Sequence, residues 1–354
     1  MTGEDARSPA AKGALFGLGA AALFGASTPL AKDLLGNIGP QLLAGLLYAG
    51  AAIALSATLR WHRSPVEARL RRSDTPMLAA VTLAGGVVAP VLLLVGLERV
   101  SGIAGSLLLN LEAVATLALA LLVFGEHLDR RAAAGATAIV AAAAVLGLGG
   151  GQARADLVGI ACIAGACLCW ALDNNLTQRL SGRDPFAIVR AKAAVAGGIN
   201  LLLALALGAS LPPMAAVLGA LVLGGAAYGI SVVLDAYALR WVGAARESAY
   251  FATAPVFGVA TAVAVLGESV STAEAAAMAV MALGVYLLVT ERHRHTHMHV
   301  PLDHNHRHRH DDGHHDHVHP GGEVVDEHSH PHEHAAAVHS HPHVSDAHHR
   351  HDHR

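Results

Sequence analysis

Residues 114–126 read Val-Ala-Thr-Leu-Ala-Leu-Ala-Leu-Leu-Val-Phe-Gly-Glu, and residues 256–268 read Val-Phe-Gly-Val-Ala-Thr-Ala-Val-Ala-Val-Leu-Gly-Glu. Both apolar runs stop on Gly-Glu, and each is followed by a further apolar run. A shift of 142 residues superposes them and carries the match back to Leu97 and Leu239, through Val100/Val242, Ser106/Ser248, Ala118/Ala260, Ala120/Ala262 and Val123/Val265. Alanine and valine matches come cheaply in an apolar chain, so the shared Gly-Glu carries the repeat.

Working outward, ten apolar runs occupy residues 13–32, 39–59, 76–97, 101–124, 131–150, 157–179, 185–208, 213–237, 243–266 and 272–291. Each is near the roughly 20 residues that a helix needs to cross a hydrocarbon core about 30 Å thick. Connections are short, so the expectation is an all-α membrane protein of ten transmembrane helices. The first run follows Glu4, Asp5 and Arg7 and leads straight into the second, which reads as a retained helix and not a cleaved leader. Lysine and arginine bias in the short loops places the N-terminus in the cytoplasm, leaving only Lys32, Arg99 and Arg154 on the far side. Ten crossings return the C-terminus to the cytoplasm.

The repeat divides the chain into residues 1–12, a short cytoplasmic N-terminus; 13–150 and 151–291, two five-helix units; and 292–354, a tail. Five is odd, so the second unit must cross in the opposite sense to the first. Inverted repeats are common in secondary transporters, whose two halves exchange conformations around a central site.

The spans that end in Leu122-Val123-Phe124-Gly125-Glu126 and Val265-Leu266-Gly267-Glu268 resemble the two repeats of the EamA-type drug/metabolite transporter superfamily. So do Leu23-Phe24-Gly25-Ala26-Ser27 in the first span and Ala254-Pro255-Val256 in the ninth. The resemblance covers about residues 10–291 and implies ten helices, both termini cytoplasmic and carrier-type transport. At the position of the fourth span that matches Pro255, where many members carry proline, this chain has Ala113 preceded by Glu112.

An ionisable side chain inside a span costs on the order of 2.5–3.5 kcal/mol on insertion scales, so it faces a cavity or a partner. Glu112, beside Asn110, lies near the middle of the fourth span, and Asp173, with Asn174 and Asn175, in the cytoplasmic half of the sixth. Arg190 and Lys192 enter the seventh span, and Asp235 closes the eighth. One reading has Glu112 and Asp173 exchanging protons during transport while Lys192 pairs with one of them or with an anionic substrate group. The plainer reading makes Asp173–Lys192 a static ion pair, lets Arg190 snorkel and gives Asp235 a helix-end role. Ser27 and Thr28 accompany Pro29 and, with Pro90, form a second set of cavity-lining candidates. Glu126 and Glu268 are read as structural, tying down the loops that follow them through backbone N–H groups. Cys162, Cys167 and Cys169 lack a metal-type spacing and read as small buried hydrophobes.

The whole chain has 354 residues, 53% of them apolar and 14% charged, with a mean hydropathy of +0.45, but these averages hide a split. Of its 25 histidines only His62 and His127 precede residue 293. The tail carries ten acids against five arginines, and the rest of the chain 17 acids against 19 bases. Neither part has the Lys/Arg stripe of a nucleic-acid binder, and three clustered cysteines exclude a disulfide scaffold.

The tail alternates histidine with other residues: His293, His295, His297 and His299; His304, His306, His308 and His310; His314, His315, His317 and His319; His328, His330, His332 and His334; and on to His353. With few apolar residues, it is expected to be disordered without ligand. Imidazoles at this spacing suit Zn, Ni, Co or Cu, although none is required as a cofactor. Protonation near pH 6.5 is an alternative role.

The function expected is a secondary active transporter, not an enzyme, moving a small molecule or ion across a bacterial-type inner membrane, proton-coupled, with a cytoplasmic metal-binding tail. Alternatives are a divalent Zn, Ni or Co carrier and a non-transporting membrane metal sensor or store. Membrane lipid is the expected environment, and a homodimer is compatible with it.

Overall fold

The computed structural model describes residues 9–58, 70–124, 130–148, 156–177, 180, 183–242, 250–289, 293–299, 302–308, 328–334 and 337–343. Before residue 290 the elements are helical. Helices α1 (Pro9–Leu35) and α2 (Pro40–Thr58) are followed by α3 (Thr75–Val81) and α4 (Ala89–Leu97), with a π-helical turn, Thr82–Val88, between the last two. Then come α5 (Gly102–Leu108), α6 (Leu111–Phe124), α7 (Arg130–Leu148), α8 (Leu157–Thr177) and α9 (Pro185–Ala206). A second π turn, Gly225–Ile230, joins α10 (Met214–Gly224) to α11 (Ser231–Val242), and α12 (Ala254–Leu266) and α13 (Thr272–Val289) complete the helical part.

Six helical stretches among the described residues are long and apolar enough to cross a membrane: Lys12–Leu35, Pro40–Ala57, Arg72–Leu97, Leu157–Thr177, Phe186–Ala206 and Met214–Asp235. The fourth, fifth, ninth and tenth apolar runs form shorter apolar helices, Gly102–Thr116, Ala133–Leu146, Ala254–Leu266 and Thr272–Leu287. Local chemistry explains some of the shortening. The fourth run turns at Leu109 and Asn110 between α5 and α6. The ninth ends where the sequence places its end, at Gly267, whose φ of 66° is left-handed backbone that favours glycine, while residues 243–249 at its start lie outside the described residues.

Starts are equally local. Ser101 caps α5 by accepting from the Ala104 amide at 3.0 Å, and Asp184 caps α9 by accepting from the Phe186 amide at 2.9 Å, with Pro185 at the first helical position.

The helices bury alanines beside leucines such as Leu43, Leu47 and Leu94, and also expose large apolar side chains outward. Ala20, Ala44, Ala51, Ala166, Ala196 and Ala220 are fully buried, whereas Leu202, Leu211 and Val222 are well exposed. That is the polarity expected of a bundle whose outer solvent is lipid and whose helices approach closely. Helix α2 packs along α9, α1 against α11 and α12, α4 against α8, and α7 against α13. Gly224 shows why small residues sit at these crossings, because a Cβ there would run into the carbonyl of Leu47 on α2.

Four strands, β1 (His293–His299), β2 (Leu302–His308), β3 (His328–His334) and β4 (Ala337–His343), pair as two antiparallel ladders, β1 with β4 and β2 with β3. The physical reason is visible in the spelling: alternation has period two, which is the period of a strand.

Candidate transport site

The best-defined polar centre is built on a backbone defect. In the π turn Thr82–Val88 the Ala89 amide, which an α-helix would aim at Gly85, bonds Ala84 instead. The next residue, Pro90, has no N–H to offer the carbonyl of Gly86. Other helices supply donors to both carbonyls. Tyr48 Oη of α2 donates to Gly85 O at 2.7 Å and Trp170 Nε1 of α8 at 3.0 Å. Asn200 Nδ2 of α9 donates to Gly86 O at 3.2 Å and accepts from Gln41 Nε2 at 2.8 Å. Asn200 is fully buried, so this chain of bonds satisfies polar groups that the interior could not otherwise hold.

Around that centre lie the charges singled out in the sequence. Lys192 of α9 forms an ion pair with Asp173 of α8, whose other oxygen accepts from Thr177 Oγ1 at 3.1 Å. The two side chains are 17% and 5% exposed, so the pair is largely desolvated. It lies directly against Gly85, where a Cβ would collide with the Asp173 carboxylate. One residue further on, Asn174 Nδ2 donates to Glu112 Oε1 of α6 at 2.7 Å. Glu112 also feels the charges of Asp173, Asp235 and Lys192, which makes one electrostatic cluster of four helices.

Aromatic rings border the centre. Phe24 of α1 stands 6.2 Å from both Trp170 and Tyr228 and 5.5 Å from Phe251, and Tyr48 lies 5.3 Å from Tyr228 between ring centroids. Five of the chain's 14 Phe, Trp and Tyr residues thus meet here from five parts of the chain. Tyr48, Trp170, Asn200 and Gln41 went unremarked in the sequence. The signal that could have found them is Gly85-Gly86 with Pro90 inside one span, which announces carbonyls in need of donors.

Other candidates lie elsewhere. Asn110 turns from Glu112 and donates to Leu107 O at 3.1 Å and toward Met281 Sδ at 3.7 Å. Ser27 donates to Phe24 O within its own helix at 2.6 Å and is, with Thr28, almost fully buried. Asn175 donates to Ala171 O within its own helix, and Cys167 is buried against the carbonyls of Leu108 and Leu109. Glu268 does bind backbone N–H groups, yet not those of the loop after it: its two oxygens accept from Gly102 at 2.7 Å and Ile103 at 2.9 Å, at the start of α5. Glu126 falls outside the described residues, as do His62, His127, His310, His314, His315, His317 and His319.

The Glu268 contact belongs to a fastened end of the bundle. Lys32 Nζ at the end of α1 donates to Leu97 O at 2.7 Å and Val100 O at 2.6 Å, beyond α4. Arg99 pairs with Asp156 at 2.6 Å, and Ser101 donates to Glu274 at 3.3 Å. The Val158 amide and the Arg99 guanidinium hold the exposed Asp156 carboxyl below the usual carboxylate range. Among the residues whose side chains are described, no group of three or more His, Cys, Asp or Glu is placed to hold a metal ion.

Comparison with known proteins agrees with this architecture. An uncharacterized transporter of Methanothermobacter thermautotrophicus is 30% identical over 266 residues, covering 70% of this chain and 77% of that one. A solved crystal structure of a protein matches with a TM-score of 0.59 at 20% identity, covering 78% of this chain and 98% of the other, which is a likeness of fold alone. The EamA-like transporter family matches twice, over residues 11–148 and again over 157–290. A double match spanning nearly the whole helical part, on helices apolar enough to cross a membrane, makes the chain a multi-pass membrane protein of the EamA-like transporter family.

Proposed function

We propose that this chain is a secondary carrier that moves a small solute across a bacterial-type inner membrane by alternating access. Ten membrane crossings, arranged as two inverted five-helix repeats with both termini in the cytoplasm, accommodate the six long helices and the four shorter ones. Two further facts support the repeat: the family matches twice, and the 142-residue shift carries the first π turn, 82–88, onto 224–230, which contains the second, Gly225–Ile230. The observation that carries the transport reading is the intramembrane cluster Glu112–Asn174 and Asp173–Lys192 at the crossing of α6, α8 and α9. A carboxylate and an ion pair are worth holding in low dielectric where they exchange partners with a solute or a proton. Glu112 is assigned the exchangeable proton, since its one described partner is a neutral amide.

In this orientation the end fastened by Lys32, Glu268 and Arg99 is the outer one. Asn174 is exposed and Lys192 partly so on the cytoplasmic half, which reads as a carrier open toward the cytoplasm. The histidine tail then serves as a metal-binding accessory that senses or buffers Zn, Ni, Co or Cu. A metal-carrier reading draws only on that tail, because the oxygen and amide donors of the spans are harder than these ions prefer.

The test uses full-length protein in vesicles loaded with a pH-sensitive dye and challenged in turn with amino acids, amines, sugars, nucleosides, Zn2+ and Ni2+. At least one organic solute is expected to move protons with it, and Glu112→Gln should abolish that coupled flux. Solute flux with unchanged pH dependence in Glu112→Gln overturns the proton assignment. Flux of the metal ions alone, persisting without residues 293–354, overturns the organic-solute reading.

A further inference from the structure

The charges around Glu112 are of unequal sign. Glu112 feels the carboxylates of Asp173 and Asp235 and the single ammonium of Lys192. That ammonium is already committed, because it forms an ion pair with Asp173. Asn174, which donates to Glu112 Oε1, is a neutral amide. A solute carboxylate brought here would add a like charge in low dielectric beside a lysine that is taken. A positively charged nitrogen would find in Glu112 both a counter-charge and a hydrogen-bond acceptor.

The rings describe the rest of the solute. Trp170 precedes Asn174 by four residues on α8, so the two share a face about 6 Å apart along the axis. The indole N–H of Trp170 and the hydroxyl proton of Tyr48 are both spent on Gly85 O, which leaves the rings to act as rings. Phe24 stands edge-on to Trp170 at 72° and to Tyr228 at 64°, and tilts against Phe251 at 38°. Phe24 and Phe251 have no polar group to satisfy, and both are partly exposed. Alanine and leucine fill much of the core, Leu43, Leu47, Leu93 and Leu94 among them, so packing alone does not call for rings here. Rings beside carboxylates favour a cation, because the face of an aromatic ring carries negative partial charge.

Resting on the carrier reading and on Glu112 as its exchangeable carboxylate, we propose that the solute is an arylethylamine. Its protonated amine bonds Glu112, its aromatic ring packs among Trp170, Phe24 and Phe251, and it carries no carboxylate. The turn of helix from Asn174 back to Trp170 sets the spacer, since two carbons between nitrogen and ring span a distance of that order.

Full-length protein in detergent is titrated by calorimetry with phenylethylamine, butylamine, phenylalanine and phenylpropionate. Phenylethylamine is expected to bind at least about tenfold more tightly than butylamine, which lacks the ring, and than phenylalanine, which adds a carboxylate. Glu112→Gln should weaken phenylethylamine by at least about tenfold. Phe24→Leu keeps apolar bulk and removes a ring, so it should bring phenylethylamine to within about threefold of butylamine. Phe251→Leu should act in the same direction, and unfolding midpoints matching the parent separate loss of a ring from loss of the fold. Phenylalanine or phenylpropionate bound more tightly than phenylethylamine overturns the amine class and leaves the carrier reading standing. Butylamine bound as tightly as phenylethylamine, or a ring preference unchanged in both variants, overturns the aromatic half. Vesicles that move no solute of any class overturn the carrier reading, and this proposal with it.

Discussion

The polar centre around Gly85 and the fastened end around Gly102 each hold ionisable side chains within a bundle of apolar helices, but by different means. At the fastened end, charge meets backbone: Glu268 binds two amides at the start of α5, and Lys32 binds the last carbonyl of α4 and one just past it. Helix termini present such groups whatever the state of the solute path, and the macrodipole favours these signs. At the centre, charge meets charge and amide: Asp173 with Lys192, and Glu112 with Asn174. Those partners can be exchanged for a proton or a solute group, whereas a helix terminus has no other use for its cap. The difference separates residues that hold the bundle together from residues that can work in it.

The centre is the more sensitive of the two. Asp173→Asn leaves Lys192 largely desolvated with no counter-charge and is expected to destabilise the protein by about 3–5 kcal/mol. Adding Lys192→Met to it should recover most of that stability while leaving transport dead, as thermal unfolding in detergent and vesicle uptake would show. A double variant as unstable as the single one would mean that Asp173 stabilises through Thr177 or Gly85 and not through the lysine. At the other end, Glu268→Gln keeps one acceptor oxygen for α5 and loses the charge, so a smaller loss is expected, about 1 kcal/mol, with solute specificity unchanged. An altered order of preferred solutes in Glu268→Gln would erase the distinction between the two regions.

The smallest effect belongs to Asp156. Its carboxyl is held below the usual range in the folded state, so its contribution is in place above the unfolded pKa of about 3.9 and is lost as pH falls through the lower folded value. Midpoints of unfolding at pH 5–7 should be the same for Asp156→Asn and the parent apart from a constant offset, which should begin to shrink below about pH 4. Because the pair is exposed, added salt should shrink the offset as well.

Much of the architecture was legible because a bilayer leaves a chain few options: long apolar runs must be helices. The same rule marked Glu112, Asp173, Asn174 and Lys192, since polar groups in spans are costly enough to need a reason. Their pairing was not legible. Nothing in the spelling says that Asn174 rather than Asn110 would meet Glu112, because that depends on the turn at 109–110 and on how α6 lies along α8. The amides bound by Glu268 were hidden for a similar reason, since they lie in the other of the two stretches that match the family, 165 and 166 residues away. Tyr48, Trp170 and Asn200 escaped because their acceptors are backbone carbonyls, and backbone has no letter in a sequence.

The π turns have a consequence for the phase of the helices that contain them. Such a turn interposes about one extra residue, and one residue is roughly 100° of rotation about a helix axis. A helical wheel drawn straight through Arg72–Leu97 or Met214–Asp235 therefore assigns the second half of each to the wrong side. Substitutions in α4 and α11 must be placed on wheels that start afresh after Val88 and Ile230. Deleting one residue from a π turn would swing everything after it by that same angle, taking Leu93 and Leu94, which are buried in α4, away from the side they occupy.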